Sequence, residues 1–225
     1  MNIALFDLDH TLLPIDSDYT WARFTNEIGW TDPEESLRQN DIFYQQYVAG
    51  TLDMREYVRF VTRAVRAHTL PEAQAAQQRY LDEFIRPQIT RPALDLLAAH
   101  RQAGDALVMI TATNRFIAGP IGEALGFADD HIIATELQRD TRGHITGEID
   151  GEPNLREGKV HNFGLWLARR NLASEQVRVT FYSDSMNDLP LLERAAVPVA
   201  TNPDDRLRAH ATREGWRILD LFPTH

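Results

Sequence analysis

Two aspartates two residues apart, Asp7 and Asp9, close the first apolar run of the chain in the string Asp7-Leu8-Asp9-His10-Thr11. Side chains alternate along a strand, so both carboxylates can start on one side. If the chain turns directly after Asp7, they diverge and can take different roles. A third acid, Asp184, follows Phe181-Tyr182-Ser183; Thr111 follows Val108-Met109-Ile110; and Lys159 opens the helical pattern before the Asp184 run. If these runs are parallel strands of one sheet, three acids, a hydroxyl and a lysine meet in one crevice. Three carboxylates that close repel one another strongly without a cation. Oxygen donors in a chain with no cysteine suit a hard ion, Mg²⁺, which takes one or two carboxylates together with waters and ligand oxygens.

The elements that must position these groups can be read from hydrophobic patterning. Short apolar runs that suit buried strands lie at 3–6, 106–110, 131–134, 177–182 and 197–200. Helical patterns lie between them: 92–103 closing at Gly104, 116–125 closing at Gly126, 159–171, 188–196, and 203–214 closing at Gly215. Strand alternating with helix predicts an α/β fold, a Rossmann-like parallel sheet with helices on both faces. Its ligand site falls at the carboxyl ends of the strands. The stretch 14–87 breaks the alternation. It is too long for a loop, holds no convincing strand, and carries helical spacing in Trp21, Phe24 and Ile28 and again in Val58, Val61 and Val65. We read it as a helical cap inserted after the first strand, with 1–13 and 88–225 forming the core. Glycines 143 and 147 with neighbouring Thr and Ile predict a hairpin within 136–151 that extends the core.

Composition narrows the function classes. With 225 residues, 43% hydrophobic and 25% charged, the chain reads as a soluble globular protein. A formal net charge of −10 argues against nucleic acid as a partner. It also means that an anionic substrate needs local positive charge, from a metal or a placed lysine. No apolar run approaches the roughly 18 residues of a membrane span, and the N-terminus lacks a signal-peptide pattern. No membrane association, no obligate protein partner and a cytoplasmic location are expected.

Taken in order, Asp7-Leu8-Asp9-His10-Thr11, Thr111, Lys159 and Ser183-Asp184-Ser185-Met186-Asn187-Asp188 resemble the four motifs of the haloacid dehalogenase-like hydrolases. The helical insertion resembles the cap of the branch that contains the phosphoserine phosphatases. The resemblance implies Asp7 as a nucleophile that becomes an aspartyl phosphate and Asp9 as general acid and base. It implies Mg²⁺ held by Asp7, Asp184 and the backbone carbonyl of Asp9, with Asp188 placing a metal-bound water or Lys159. Thr111 and Lys159 would bind phosphate oxygens. A second acid in the first motif is what a phosphatase of this family uses on an alkoxide leaving group, and a dehalogenase does not need it. The expected activity is hydrolysis of a small phosphorylated metabolite, such as histidinol phosphate or phosphoserine. Transfer to an alcohol acceptor is the second reading, and a non-catalytic binding protein the third.

Further residues are candidates for substrate contact: Asp16, Asn187, Thr11 and Arg115. Asp16 is either a reader of a substrate ammonium or the N-cap of the first insertion helix, with Ser17 and Asp18 as rival caps. After Thr111 the chain reads Ala112-Thr113-Asn114-Arg115, a departure from the Ser-Gly-Gly run of the phosphoserine phosphatases. Arg55 and Arg59 are expected at the surface, His131, His144 and His161 in loops or at the surface, and the four tryptophans in packing.

Overall fold

In the computed structural model, residues 1–222 are described. Strand β1 is Asn2–Phe6; after it come helices α1 Ser17–Glu27, α2 Pro33–Ala49, α3 Met54–Val61, α4 Arg63–Arg66 and α5 Leu70–Tyr80, then a π turn at Leu81–Ile85 and a 3-10 turn at Arg86–Gln88. Helix α6 Arg91–Ala103 leads to β2 Ala106–Asn114, α7 Arg115–Ala124, β3 Ile132–Thr135, β4 Leu137–Arg139 and β5 Ile145–Ile149. The chain ends with α8 Glu157–Ala168, β6 Arg178–Ser183, α9 Leu189–Leu192, β7 Val197–Thr201, α10 Asp205–Glu214 and β8 Arg217–Leu219.

Six strands form one parallel sheet in the order β3-β2-β1-β6-β7-β8, with β1 in the middle. The alternation of β1 builds two cores. Ile3 and Leu5 face one side, against Phe163 and Trp166 of α8, Leu192 of α9 and Leu207 of α10. Ala4 and Phe6 face the other, against Leu97 of α6 and Phe116 and Ile121 of α7. A strand buried on both faces reads as a continuous apolar run, which is why 3–6 is recognisable in the sequence. The register sets Phe6 beside Met109 and Tyr182, so the residues that follow β1, β2 and β6 emerge at one edge.

Between β1 and β2 every regular element is helical. The local signals are side-chain caps: Asp16 on α1, Asp32 followed by Pro33 on α2, Asp53 on α3, and a Thr69–Glu72 capping box on α5. The second core runs on into these helices through Trp21, Phe24, Val58 and Tyr80. Trp21 meets Phe116 of α7 edge-on at 5.7 Å between centroids. Apolar packing thus joins the inserted helices to the sheet layer.

Several elements differ from the sequence expectation. Strand β2 continues beyond 110 to Asn114, with an irregular register against β3 between Ile110 and Asn114. The helix expected at 188–196 is one turn, Leu189–Leu192, because the chain must enter β7 at Val197. Edge strand β8 has only three residues, too few to show a period. The hairpin exists but does not extend the main sheet: β4 and β5 pair only with each other. It packs against the inserted helices, with Ile145 and Ile149 buried in their core and Arg59 bonded to Glu148 at 2.9 Å. Arg59 and Arg55 are exposed. His131 is half-buried, bonded to the Leu107 carbonyl oxygen and edge-on to Trp166. Among the described residues no helix is long and apolar enough to cross a membrane.

The turn into α8 is tight. A Cβ at position 158 would lie 1.9 Å from the Pro153 carbonyl oxygen, so backbone must move to accept one. Gly158→Ala is therefore expected to destabilise the fold by about 1–3 kcal/mol, as overpacking does. Thermal or denaturant unfolding measures it, and an unchanged midpoint would show that the turn yields freely.

Candidate active site

Lys159, in the first turn of α8, is 2% exposed. Its Nζ donates to Asp7 Oδ1 at 2.8 Å and to Asp188 Oδ2 at 2.6 Å. Asp7 is the residue directly after β1, and its own N–H donates to the Tyr182 carbonyl oxygen of β6 at 2.9 Å. Asp188 is held in turn by Ser183, whose Oγ donates to Asp188 Oδ2 at 2.7 Å. Thr11 Oγ1 reaches Asp184 Oδ1 at 3.4 Å. Three chain segments distant in sequence are fixed here by one ammonium.

The chain turns sharply after Asp7. The Leu8 carbonyl oxygen accepts from the N–H groups of Thr11, Leu12 and Leu13, and His10 takes a positive φ of 54°. Asp9 is thereby turned to different partners: the Ser17 N–H donates to its Oδ1 and Thr113 Oγ1 to its Oδ2, both at 2.8 Å. The irregular end of β2 supplies Thr113. Thr111, 1% exposed, has its hydroxyl oxygen accepting from the Thr113 N–H and its carbonyl oxygen bonded by Asn154.

Burial dominates the electrostatics. It pushes the Asp7 carboxyl up against the opposing pull of Lys159. Burial also raises Asp184 well above the usual carboxylate range, with repulsion from Asp7 and Asp188 added. Asp188 is raised by burial too, again against Lys159. On Lys159 burial disfavours the charge, but Asp188 and Asp7 outweigh it and hold the ammonium above its usual range. Asp9 is raised to about 6, first by burial and then by the charge of Asp16, while Ser17 and Thr113 pull it down. Three carboxylates around one ammonium leave excess negative charge in a buried place, which a bound cation would offset.

The site opens into a cavity of about 210 Å³. The sheet edge contributes Asp7, Asp9, Thr111, Lys159, Asp184 and Asp188 to its lining; the opposite wall comes from the inserted helices, with Asp16, Asp18, Asn40, Phe43, Tyr47 and Tyr57. Tyr47 also donates its hydroxyl to Ser185 Oγ at 3.0 Å. His10 lies on the rim, exposed.

Of the residues singled out in sequence, Asp7, Asp9, Thr111, Lys159, Asp184 and Asp188 share this cavity, and Asp16 lines it too. Thr11 stands behind Asp184, fully buried. Asn187 is beside the site but not on its wall: its Oδ1 accepts from Arg156 and its Nδ2 donates to the Tyr47 carbonyl oxygen, both at 3.2 Å. Arg115 is a correction. Its guanidinium is turned away from the cavity onto the Ile132 carbonyl oxygen at 2.7 Å and onto Asp129, because it opens α7 on the far side of the β2 end. Sequence reasoning missed Thr113, Asn40, Tyr47 and Tyr57. Thr113 stands two positions after Thr111, on the same strand face, and that spacing is a usable signal. The insertion residues carried only a helical stripe, which reads equally well as core.

Among the described residues no three His, Cys, Asp or Glu side chains are arranged as ligands. Mg²⁺ asks for less: one or two carboxylates, with waters and other oxygens completing the shell. Asp7 and Asp184 line one cavity as hard oxygen donors, and the Asp9 carboxylate is engaged with Ser17 and Thr113, so Asp9 would contribute only its carbonyl. The residues fit the ion.

Comparison with known proteins agrees over nearly the whole chain. Residues 4–193 match the family profile described as haloacid dehalogenase-like hydrolase. A histidinol-phosphatase from Neisseria meningitidis serogroup C is 37% identical over 221 residues, spanning 98% of this chain and 99% of that protein. A crystal structure of a protein of unknown function from Bordetella pertussis Tohama I is 43% identical, with a TM-score of 0.91 over 98% of this chain and 99% of that one. A substrate-bound phosphoserine phosphatase is 16% identical with a TM-score of 0.66, covering 96% of this chain and 91% of that one, which shows a shared fold.

Of the two readings of Asp16, the helix cap has a bond behind it: Tyr19 N–H donates to Asp16 Oδ1 at 2.8 Å. Asp16→Ala is expected to cost about 1 kcal/mol of stability, and Asp16→Asn almost nothing, because Asn caps about as well. Equal unfolding midpoints for wild type and Asp16→Ala would remove the cap from the account.

Proposed function

The chain belongs to the haloacid dehalogenase-like hydrolases, and from that premise we propose that this phosphatase hydrolyses a small phosphate monoester, with Mg²⁺, by way of phosphoryl transfer to Asp7. The observation that carries the reading is the buried Lys159 held between Asp7 and Asp188 on the wall of a cavity that also presents Asp9, Thr111 and Asp184. We take residues 14–87 as a cap over a core of 1–13 and 88–225. The name of the Neisseria relative and the shared fold of the phosphoserine phosphatase support an amino-alcohol or amino-acid phosphate as substrate.

In this reading Asp7 Oδ2, the oxygen not bonded to Lys159, attacks phosphorus and the bond to the alcohol oxygen breaks. Asp9 gives its proton to the departing alkoxide; with its carboxyl raised to about 6, it holds and releases a proton near neutrality. Asp9 then takes a proton from water as that water attacks the aspartyl phosphate, freeing inorganic phosphate and restoring Asp7. Two steps replace one very slow hydrolysis. Thr111 and Lys159 bind phosphate oxygens, and Lys159 offsets the charge that grows on them. Asp188 and Ser183 act through Lys159 by fixing its direction. Asp7, Asp184 and the Asp9 carbonyl would hold Mg²⁺, which when bound screens the phosphate from the Asp7 carboxylate.

Thorough chelation should abolish phosphate release from p-nitrophenyl phosphate and added Mg²⁺ should restore it; full activity in EDTA would contradict the metal assignment. Asp184→Asn should weaken activity and raise the Mg²⁺ concentration needed for half-activation.

The two acids of the first motif should separate kinetically. Asp7→Asn is expected to lose turnover of every ester, since an amide is a very poor nucleophile. Asp9→Asn should harm an alkyl phosphate about 10²–10⁴-fold but affect the first step with p-nitrophenyl phosphate less, because that leaving group needs no proton. Near-normal turnover by Asp7→Asn would move the nucleophile elsewhere.

A further inference from the structure

Resting on the phosphatase reading above, we propose that the Ser185 hydroxyl is a further phosphate-binding donor beside Thr111 and Lys159. Tyr47 of α2 is its positioning residue: by donating to Ser185 it leaves the serine proton for a phosphate oxygen.

Ser185 follows Asp184 in the chain, lines the same cavity and is 5% exposed. Its Oγ accepts twice: from the Tyr47 hydroxyl at 3.0 Å, and from the Asn187 N–H at 3.2 Å, where it caps the 3-10 turn Met186–Asp188. A serine hydroxyl has two lone pairs and one proton. Both lone pairs are taken by protein donors, so only the proton is left. Among the described residues no carboxylate accepts it: Asp188 is bonded by Ser183 and Lys159, and Asp184 by Thr11. A buried hydroxyl proton without an acceptor is costly, and the cavity is where an acceptor can stand. The serine is also fixed in direction. Its N–H donates to Ser183 Oγ at 3.2 Å, and Ser183 leads on to Asp188 and Lys159.

Tyr47 is held by the same turn at two points. Asn187 Nδ2 donates to its carbonyl oxygen at 3.2 Å while its hydroxyl meets Ser185, and Arg156 steadies Asn187 through its Oδ1. Burial, and after it the charges of Asp184, Asp188 and Asp7, push the Tyr47 hydroxyl well above its usual range, so it stays a proton donor at any working pH. A phenol is also the more acidic of the two hydroxyls, so Tyr47 donates and Ser185 accepts. The other donors of the cavity obey the same count. Lys159 spends two of its three protons on Asp7 and Asp188, and Thr111 accepts from the Thr113 N–H and keeps its own proton. Each has one proton to offer, and Ser185 adds a third. Phosphate oxygens only accept, and charge on them is stabilised by donors already in place. With seven aspartates and one lysine on the cavity wall, a neutral hydroxyl binds an anion without adding to the negative charge.

Inorganic phosphate is the probe, titrated by calorimetry at saturating Mg²⁺, with kcat/KM for p-nitrophenyl phosphate measured beside it. Ser185→Ala and Tyr47→Phe each remove one oxygen and leave the rest of the side chain in place. Ser185→Ala should raise the phosphate Kd about tenfold or more and lower kcat/KM by a like factor, the size of a hydrogen bond to a charged group. Tyr47→Phe should raise the Kd about two- to tenfold, the range of a neutral hydrogen bond. Added to Ser185→Ala, Tyr47→Phe should change the phosphate Kd no further, because Tyr47 acts through Ser185. Additive losses in the double variant overturn the role of Tyr47. Unchanged phosphate affinity in Ser185→Ala overturns the donor, whether its unfolding midpoint falls, its Mg²⁺ affinity alone weakens, or nothing changes. Failure of wild type to hydrolyse p-nitrophenyl phosphate with Mg²⁺ would instead defeat the phosphatase reading. Phosphate binding then still decides: a tenfold weaker Kd in Ser185→Ala supports the donor, and equal affinities overturn it.

Discussion

The active site depends on one buried ammonium. Lys159 is shut away from water between Asp7 and Asp188, and each of these three charges would be costly there alone. Removing Lys159 leaves both carboxylates buried without a cation, a loss on the order of 3–5 kcal/mol, whereas removing either carboxylate leaves the other still paired with the ammonium. The pairing therefore constrains the fold. The residue after β1, the first turn of α8 and the loop after β6 must meet at one sheet edge, and the parallel order β2-β1-β6 brings them there. The same pairing leaves a surplus of negative charge, since Asp184 adds a third carboxylate without a second cation. A phosphate enters such a site only if that surplus is offset, and this is the physical reason for asking for Mg²⁺.

The inserted helices complete the site and do not merely cover it. The first turn of α1 donates the Ser17 N–H to Asp9, so the proposed acid–base group is oriented from the insertion as well as from Thr113 on β2. The C-terminal end of α2 is fastened to the core: Asn187 Nδ2 donates to the Tyr47 carbonyl oxygen and Arg206 to that of Val48. Gly50, in the left-handed conformation at the end of α2, leaves room for Arg156, whose guanidinium a Cβ there would strike. These contacts join the insertion side of the cavity to the start of α8, which carries Lys159, and to the turn that carries Asp188. The cavity thus lies between the inserted helices on one side and the residues proposed for phosphate chemistry on the other.

The sheet and its acids were legible because burial on both faces leaves long apolar runs, and the motif residues stand directly after them. Strand β1 with Asp7, and β6 with Asp184, are the clearest cases. Thr113 was harder, since its role depends on the irregular end of β2, which no pattern marks. Arg115 misled for a related reason: adjacency to Thr111 in sequence says nothing of direction once α7 begins. The hairpin was recognisable from its glycines, but its docking on the insertion depends on long-range contacts such as Arg59–Glu148. Asn40 could not be told from an ordinary helix position, because only the fold shows that it faces a cavity.

The central claim is that Asp7 takes the phosphoryl group, and peptide mapping after rapid acid quench tests it most directly. Asp9→Asn incubated with p-nitrophenyl phosphate and Mg²⁺ should accumulate a phosphorylated protein, since its second step lacks a base. Reduction with borohydride should then mark one residue, Asp7, in the N-terminal peptide. A label on any other residue, or phosphate release with no covalent species in this variant at any time after mixing, would contradict the account.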